Sequence, residues 1–265
     1  MERANTMLTL MRGSRARALA GHPWVYANEI QTRLPAELDG SCVELKTARG
    51  FSLGSGIYNS QSQIIWRKLS SDKIELNEAF FKQALTQSLA RRGTTPFCRL
   101  VWSEADYLPG LIVDRFQDIL VVQAQTKAME LHLETIARIL LELTEAKDIL
   151  FKNNHAIRKL EGLPQYTKTV TGNPIEAQWV TIEGISYWID WMEGQKTGFY
   201  LDQRLEHLRI GHYAKDREVL DACCNQGGFA LHAAKAGARS VLAIDISEEC
   251  TRSTQNNAEH NSLQV

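Results

Sequence analysis

The sequence predicts an α/β protein in which an open parallel sheet begins near the C-terminus, behind a small β-barrel and a central α+β module. Three observations carry this. An apolar strand at 219–222 runs into Gly227-Gly228 and a helix-like stretch, a second apolar strand at 240–244 ends in Asp245, and β-rich segments broken by turn residues fill the first 70 positions. At ~100 to 200 residues per domain, 265 residues leave room for two or three domains, and 44% hydrophobic content suits packed cores.

Taken in order, residues 41–48, 51–58 and 63–69 are β-rich and separated by Arg49-Gly50 and Asn59-Ser60, the pattern of a small barrel over 1–70. A helix is expected over 72–92, opening a central module at 71–180. There, 99–102, 111–114, 119–124 and 148–151 read as strands, Pro109-Gly110 as a turn and 131–143 as an amphipathic helix. Residues 177–182 and 185–191 alternate around Glu183-Gly184, which predicts a hairpin leading into the last module, 181–265.

In that module, 219–222 suits a buried parallel strand. Gly227-Gly228 lets the backbone turn sharply against a ligand, and 229–234 continues as a helix that Gly237 ends. Asp245 then falls at the carboxyl end of the second strand, where open α/β sheets bind ligands, and its carboxylate can accept both hydroxyls of a ribose. It lies 18 residues beyond Gly227, against ~20 between a glycine turn and a ribose-binding acid. A dinucleotide needs G-x-G-x-x-G so that pyrophosphate can sit on the helix N-terminus, and Asp221-Ala-Cys-Cys-Asn-Gln-Gly-Gly-Phe229 lacks the leading glycines. A ligand with no phosphates but a charged amino-acid end suits this turn better, because Asp221 can pair with an ammonium. S-adenosylmethionine is such a ligand; on these residues alone a dinucleotide stays open as the second choice.

Glu193-Gly-Gln-Lys-Thr-Gly-Phe-Tyr-Leu-Asp-Gln-Arg204 resembles a signature of the class I methyltransferases that modify large-subunit ribosomal RNA. Gly21-His-Pro-Trp-Val-Tyr26 resembles the start of their PUA domain. Glu104-Ala-Asp-Tyr-Leu-Pro-Gly-Leu-Ile-Val-Asp-Arg115 and Arg158-Lys-Leu-Glu-Gly162 resemble their central domain. The similarity covers nearly the whole chain and points to the PUA-containing ribosomal RNA large-subunit methyltransferase I family, which makes 5-methylcytosine in 23S rRNA.

The resemblance implies a Rossmann-like methyltransferase domain behind a PUA-like barrel, with S-adenosylmethionine as cofactor and ribosomal RNA as partner. It also implies that Lys196, Thr197, Phe199, Tyr200, Asp202 and Arg204 form one wall of the cofactor pocket. Residues 221–228, with Asp221, Cys223, Asn225, Gly227 and Gly228 among them, form its floor. Asp245 holds the ribose and Ile246 lies against adenine. Many relatives have a Ser-Tyr-Thr-Gly-Gly turn where this chain has Cys224-Asn-Gln-Gly-Gly228, a departure that spares the cofactor but leaves the target base open.

In the family, the acid-proline motif that touches the target base and the nucleophilic cysteine lie on later strands, beyond Val265. The chain is therefore expected to be an incomplete methyltransferase, cut inside its catalytic domain and inactive as it stands, with no catalytic residue assigned. Cytosine C5 is a poor nucleophile, so a thiolate must add to C6 before C5 attacks the methyl sulfonium. Cys223 and Cys224 sit in the cofactor turn, where a small buried side chain is the usual role of cysteine.

Five cysteines, odd in number and without C-x-x-C spacing, read as reduced thiols, and no metal is expected. The apolar run at 7–11 is too short for a signal peptide and no run approaches the ~20 residues of a membrane span, so a soluble cytoplasmic protein is expected. A net charge of −1 hides a gradient: 9 Lys/Arg against 5 Asp/Glu in 1–70, but 8 against 12 in 181–265. The basic end is the RNA end on this count, with Arg12, Arg15 and Arg17 placed to grip phosphates, although a solvated charged surface explains any one arginine equally well. A homodimer is compatible with the sequence.

The six tryptophans mostly alternate with aliphatics and read as core, His22 as a turn residue, and Glu104 and Asp106 as loop-shaping acids. Two other function classes remain. A nucleotide-dependent oxidoreductase explains the open sheet but neither the Lys196 motif nor the basic barrel; a non-catalytic RNA-binding protein explains the barrel and the missing motifs.

Overall fold

The apolar run near the N-terminus is a strand, β1 (Met7–Thr9), and Leu8 and Leu10 are buried in the first hydrophobic core. The computed structural model describes residues 7–13, 15–93, 95–194 and 196–265, and the chain divides into two compact units, 1–174 and 175–265.

In the first unit, β1 is joined by β2 (Trp24–Val25), β3 (Cys42–Lys46), β4 (Ser52–Tyr58) and β5 (Trp66–Ser70) in a sheet of order β1-β3-β4-β5-β2. Only β1 and β3 run parallel. Val43 and Leu45 alternate inward along β3 and meet Val25, Ile65 and Trp66, whose indole donates to the Val43 carbonyl at 3.1 Å.

Helix α1 (Glu78–Arg92) begins later than the expected residue 72. Asn77 caps it by accepting the Phe80 amide at 3.0 Å, while Ile74 and Leu76 pack onto the core ahead of it. A second sheet follows: β6 (Phe97–Trp102), β7 (Leu111–Phe116) and β8 (Ile119–Ala124), then α2 (Lys127–Leu131) and α3 (Leu133–Thr144), then β9 (Asp148–Asn153) and β10 (Tyr166–Thr169). Its order is β10-β9-β8-β7-β6, parallel only between β8 and β9. The single helix expected at 131–143 starts earlier and breaks at His132, whose ring packs 5.0 Å from that of Phe81.

Three of the sequence motifs meet in one buried polar junction of this unit. Glu161 accepts from Asn59 Nδ2 at 2.8 Å, Ser62 Oγ at 2.6 Å and Arg67 Nη2 at 3.1 Å. The other Arg67 nitrogen reaches Glu104 at 3.3 Å, and Trp24 Nε1 donates to the same Glu104 oxygen at 2.6 Å. Burial alone would raise the Glu104 carboxyl, but hydrogen bonds from Ser103 and Trp24 hold it below its ordinary value. Asp106 is buried against Arg92 and Arg91 and accepts the Trp102 amide at 2.6 Å, so it shapes the β6–β7 loop. His22 Nδ1 accepts the Trp24 amide at 3.1 Å, the contact of a turn residue.

The second unit opens with a hairpin of β11 (Gln178–Ile182) and β12 (Ile185–Ile189). Glu183 and Gly184 both have positive φ, 51° and 79°, as a two-residue turn between twisted strands requires. Alternation buries Val180, Ile182, Ile185, Tyr187 and Ile189 and turns Trp179 and Trp188, paired across the strands, outward at 38% and 45% exposure. The expectation of core tryptophans therefore fails for these two, and for Trp102 at the end of β6, which is 52% exposed. Trp66 and Trp191 are buried as expected.

There follow α4 (Arg204–Ala214), β13 (Glu218–Ala222), α5 (Gly228–Lys235), β14 (Ser240–Ile244) and α6 (Glu248–His260). β13 and β14 pair in parallel with Leu220 opposite Leu242. The expectation of a buried parallel strand at 219–222 holds for one face only: that face carries buried Asp221 and meets α5, while Leu220, with Leu242 and Ile244 of β14, lies exposed on the other. Helix α6 presents a polar buried face. Asn257 donates to the Gln226 carbonyl and accepts the Trp188 amide, both at 3.0 Å, and Asn261 bonds the Ser186 amide at 2.9 Å and its carbonyl at 2.7 Å.

Candidate functional site

Past the end of β13 the backbone enters the left-handed region at alternate residues, Cys223 (φ 68°), Asn225 (φ 51°) and Gly227 (φ 83°). For the two non-glycines this costs about 1–3 kcal/mol each, strain of the kind that collects at ligand sites. Backbone bonds hold it in place: the Cys223 and Cys224 amides both donate to the Ile244 carbonyl, at 2.8 and 3.0 Å, and Gly227 N donates to Cys224 O at 2.7 Å.

The two glycines are explained by packing. A β-carbon on Gly227 would lie 2.8 Å from Thr254 Cγ2, and one on Gly228 would lie 2.3 Å from His207 Cε1. The sequence reading assigned them to close ligand approach; the structure adds close packing against side chains of α6 and α4.

In front of the turn lies a cavity of about 290 Å³ lined by Phe199, Tyr200, Gln203, His207, Cys223, Cys224, Asn225, Gln226, Gly228, Phe229, Asp245 and Cys250. Asp245 sits at its rim with one oxygen accepting the Asn225 amide at 3.1 Å and the other the Ser247 amide at 3.0 Å, bonds that hold its carboxyl below the ordinary value. Each carboxylate oxygen keeps a lone pair for a further donor. Gln226 is oriented by donating Nε2 to the Gly198 carbonyl at 3.2 Å, which leaves its Oε1 buried without a partner. A buried acceptor of that kind calls for a donor, such as an ammonium.

Behind the cavity His207 and His232 lie with ring centroids 6.0 Å apart, both buried. Burial pushes each imidazole down to about 4, and proximity to His232 adds to the effect at His207. Phe229 and Phe199 meet the His207 ring edge-on at 4.6 and 6.0 Å.

Of the residues named from the sequence, Phe199, Tyr200, Cys223, Asn225, Gly228 and Asp245 line the cavity. Asp221 does not: its carboxylate is buried and accepts the Ala230 amide of α5 at 3.0 Å, a contact at the helix N-terminus. Burial raises its carboxyl. Lys196 pairs with Asp202 at 3.3 Å and stands 3.7 Å over the Tyr200 ring, outside the lining. Arg204 pairs with Glu183, Thr197 is buried, and Gly227 faces Thr254. Ile246 is fully exposed, next to Asp245.

Gln203, His207, Phe229 and Cys250 are lining residues absent from the set named by sequence, while Cys224 and Gln226 fall within the floor expected at 221–228. For Cys250 a signal existed, since the first turn of the helix after an acid-tipped strand faces the same crevice as the acid. His207 had none, because the rings around it come from separate segments, Phe199 ahead of α4 and Phe229 and His232 on α5.

A glycine turn between strand and helix, an acid at the tip of the next parallel strand, and a cavity between them are the layout of a nucleoside-binding open sheet, and the family model that matches residues 99–264 makes the class that of the S-adenosylmethionine-dependent methyltransferases. A PUA-like domain model matches residues 8–71. The chain belongs to the ribosomal RNA large subunit methyltransferase I family: it is 34% identical to the Aeromonas hydrophila member over 96% of this chain and 66% of that one. It is 33% identical to the Tolumonas auensis member and 35% to that of Photobacterium profundum, over 98% of this chain and 68% of each relative. The chain thus spans about two thirds of the length of these relatives.

The fold is shared with a candidate SAM-dependent methyltransferase from Streptococcus mutans, at a TM-score of 0.81 and 19% identity over 98% of this chain and 68% of that one. A candidate methyltransferase solved in complex with SAH matches equally, at 0.81 and 19%, over 98% of this chain and 67% of that one. The methyl donor of the family is S-adenosylmethionine, and the residues present fit it: Asp245 offers acceptors for ribose hydroxyls, and Gln226 Oε1 lacks the donor that an ammonium supplies.

Proposed function

We propose that the protein serves the methylation of ribosomal RNA, with C5 of a cytosine in 23S rRNA as target. In this reading 181–265 bind S-adenosylmethionine, 71–180 form the central module and the barrel of 1–70 grips the RNA. The observation that carries it is the convergence of Asp245, Asn225, Gln226 and Tyr200 on one cavity. Asp245 takes the ribose, exposed Ile246 beside it offers an apolar face to adenine, and Gln226 Oε1 accepts from the amino-acid end. Lys196, Asp202 and Arg204 shape the wall through their ion pairs rather than by touching the donor.

On the barrel, a groove of about 820 Å³ is lined by Arg12, Arg49, Leu19 and the exposed ring of Phe51, a combination suited to phosphates and a stacked base. No residue is assigned as the thiolate that adds to the base, since Cys223 and Cys224 belong to the donor cavity. No helix among the described residues is long and apolar enough to cross a membrane.

Calorimetry with SAH and with NAD tests the cofactor. SAH binding with NAD refused supports the reading; NAD binding alone points to an oxidoreductase, and RNA binding with neither points to a non-catalytic binder. Incubation with 23S rRNA and labelled donor, followed by nucleoside analysis, reads activity and base, with 5-methylcytosine expected of a competent enzyme. Sedimentation of the same sample reports on a homodimer.

A further inference from the structure

We infer that Cys223 is a covalent modification site in the donor cavity, where a cationic low-molecular-weight disulfide forms a mixed disulfide that shuts out the methyl donor. This rests on the reading of that cavity as the donor site. All five cysteines are free, and three of them, Cys223, Cys224 and Cys250, line the cavity. Their environments differ. Cys224 is buried and accepts the Thr254 hydroxyl at 3.4 Å, and Cys250 is half-buried and accepts from Asn225 Nδ2 at 3.7 Å. Elsewhere Cys42 donates to the Ile74 carbonyl at 3.7 Å and burial pushes its thiol up to about 11, while Cys98 donates to Thr95 O at 3.4 Å. Cys223 alone of the five is exposed, and its backbone is pinned at positive φ by the Ile244 carbonyl.

The charge around it selects the reagent. Asp245 lines the cavity, Asp221 stands behind the turn, and no Lys or Arg is among the described lining residues. A disulfide carrying ammonium groups is drawn in as the cationic donor is, and one carrying carboxylates is repelled. The exchange balances within itself. The Cys223 thiolate attacks one sulfur of the reagent, the S–S bond of the reagent breaks as the Cys223–S bond forms, and the other half leaves as a thiolate that takes up the proton Cys223 lost. The Cys223 sulfur is oxidised and the leaving sulfur reduced. A short aminoethyl arm then occupies a cavity of about 290 Å³.

The experiment treats the full chain with cystamine, which is cationic, or dithiodiglycolate, which is anionic, maps adducts by peptide mass spectrometry and measures SAH binding by calorimetry before and after. The expected result is one adduct, on Cys223, formed at least about 5-fold faster with cystamine, slowed by SAH, and abolishing SAH binding until dithiothreitol restores it. Cys223→Ser loses the adduct and Cys98→Ser keeps it. Adducts confined to other cysteines, no preference for the cation, or unchanged SAH binding by the Cys223 adduct overturns the inference. Failure of the untreated chain to bind SAH overturns instead the donor-site reading beneath it, and is seen before any reagent is added.

Discussion

The imidazole of His207 occupies the place that a β-carbon on residue 228 would need, 2.3 Å from the position such a carbon would take. Gly228→Ala is therefore expected to force α5 and α4 apart and to destabilise the second unit by about 1–3 kcal/mol. Urea denaturation of Gly228→Ala, His207→Ala and the double variant checks the cause. The double variant should lose clearly less than the two single losses combined, since removing the ring frees the space. Strict additivity would show that the glycine is needed for another reason.

His207 and His232 give the second unit a pH dependence. Each folded imidazole is held near 4, below the ordinary 6.5, so the unfolded chain binds the extra protons between those values. Stability is then complete above about pH 6.5 and declines as pH falls toward 4, because protonation favours the unfolded chain. Thermal melts from pH 7.5 to 4.5 should show this decline, and a His207→Phe, His232→Leu variant should flatten it. An unchanged slope in that variant would move the effect to other groups.

Asp245→Ala removes the carboxylate that organises the Asn225 and Ser247 amides and offers acceptors at the cavity rim. SAH affinity by calorimetry is expected to drop roughly 10- to 100-fold, the cost of leaving donors unpaired. Asp245→Asn should fall between the two, since one amide oxygen still accepts. Wild-type affinity in the alanine variant would take the ribose away from this residue.

In the first unit, Glu161→Ala leaves Ser62 and one fork of Arg67 without their acceptor in a buried junction, while Asn59 keeps only its 3.0 Å bond to the carbonyl of residue 161. A loss of about 1–3 kcal/mol is expected in chemical denaturation, the cost of leaving buried donors unsatisfied, while Arg67 keeps its pair with Glu104. Glu161→Gln should cost less, keeping two of the three partners. A loss under about 1 kcal/mol for the alanine variant would mean that the junction admits water.

The strands were the most legible part of the sequence. Residues 119–124 and 240–244 are strands at the bounds expected, and Glu183-Gly184 is the turn its composition announces. Two helices of the second unit were not legible. Helix α6 buries Thr254, Asn257 and Ala258, so its inner face is polar and shows no apolar period. Helix α4 buries His207 and Ala214 but exposes Leu205 and Leu208, so its apolar residues point away from its contacts. Strands β1, β2 and β10 are too short for alternation to show.

At the site, the acid at the tip of β14 and the turn after β13 could be read because strand ends fix their position. The work of Asp221 could not. Whether a carboxylate at a strand tip turns outward to a ligand or inward to a helix depends on where α5 starts, and that is set by the contact of Gly228 with His207. The motifs at Trp24, Glu104 and Glu161 were legible as motifs but not as a joint, since nothing in their spacing says that they meet.

The asparagines of α6 have a further consequence for the hairpin. By engaging the main chain of Ser186 and Trp188, Asn257 and Asn261 use the hydrogen-bonding groups that would otherwise template an extra strand from a neighbouring molecule. Side-chain amides on a helix thus act as a lid against intermolecular β-addition, and loosening α6 would release both the cofactor turn at Gln226 and a surface prone to aggregate.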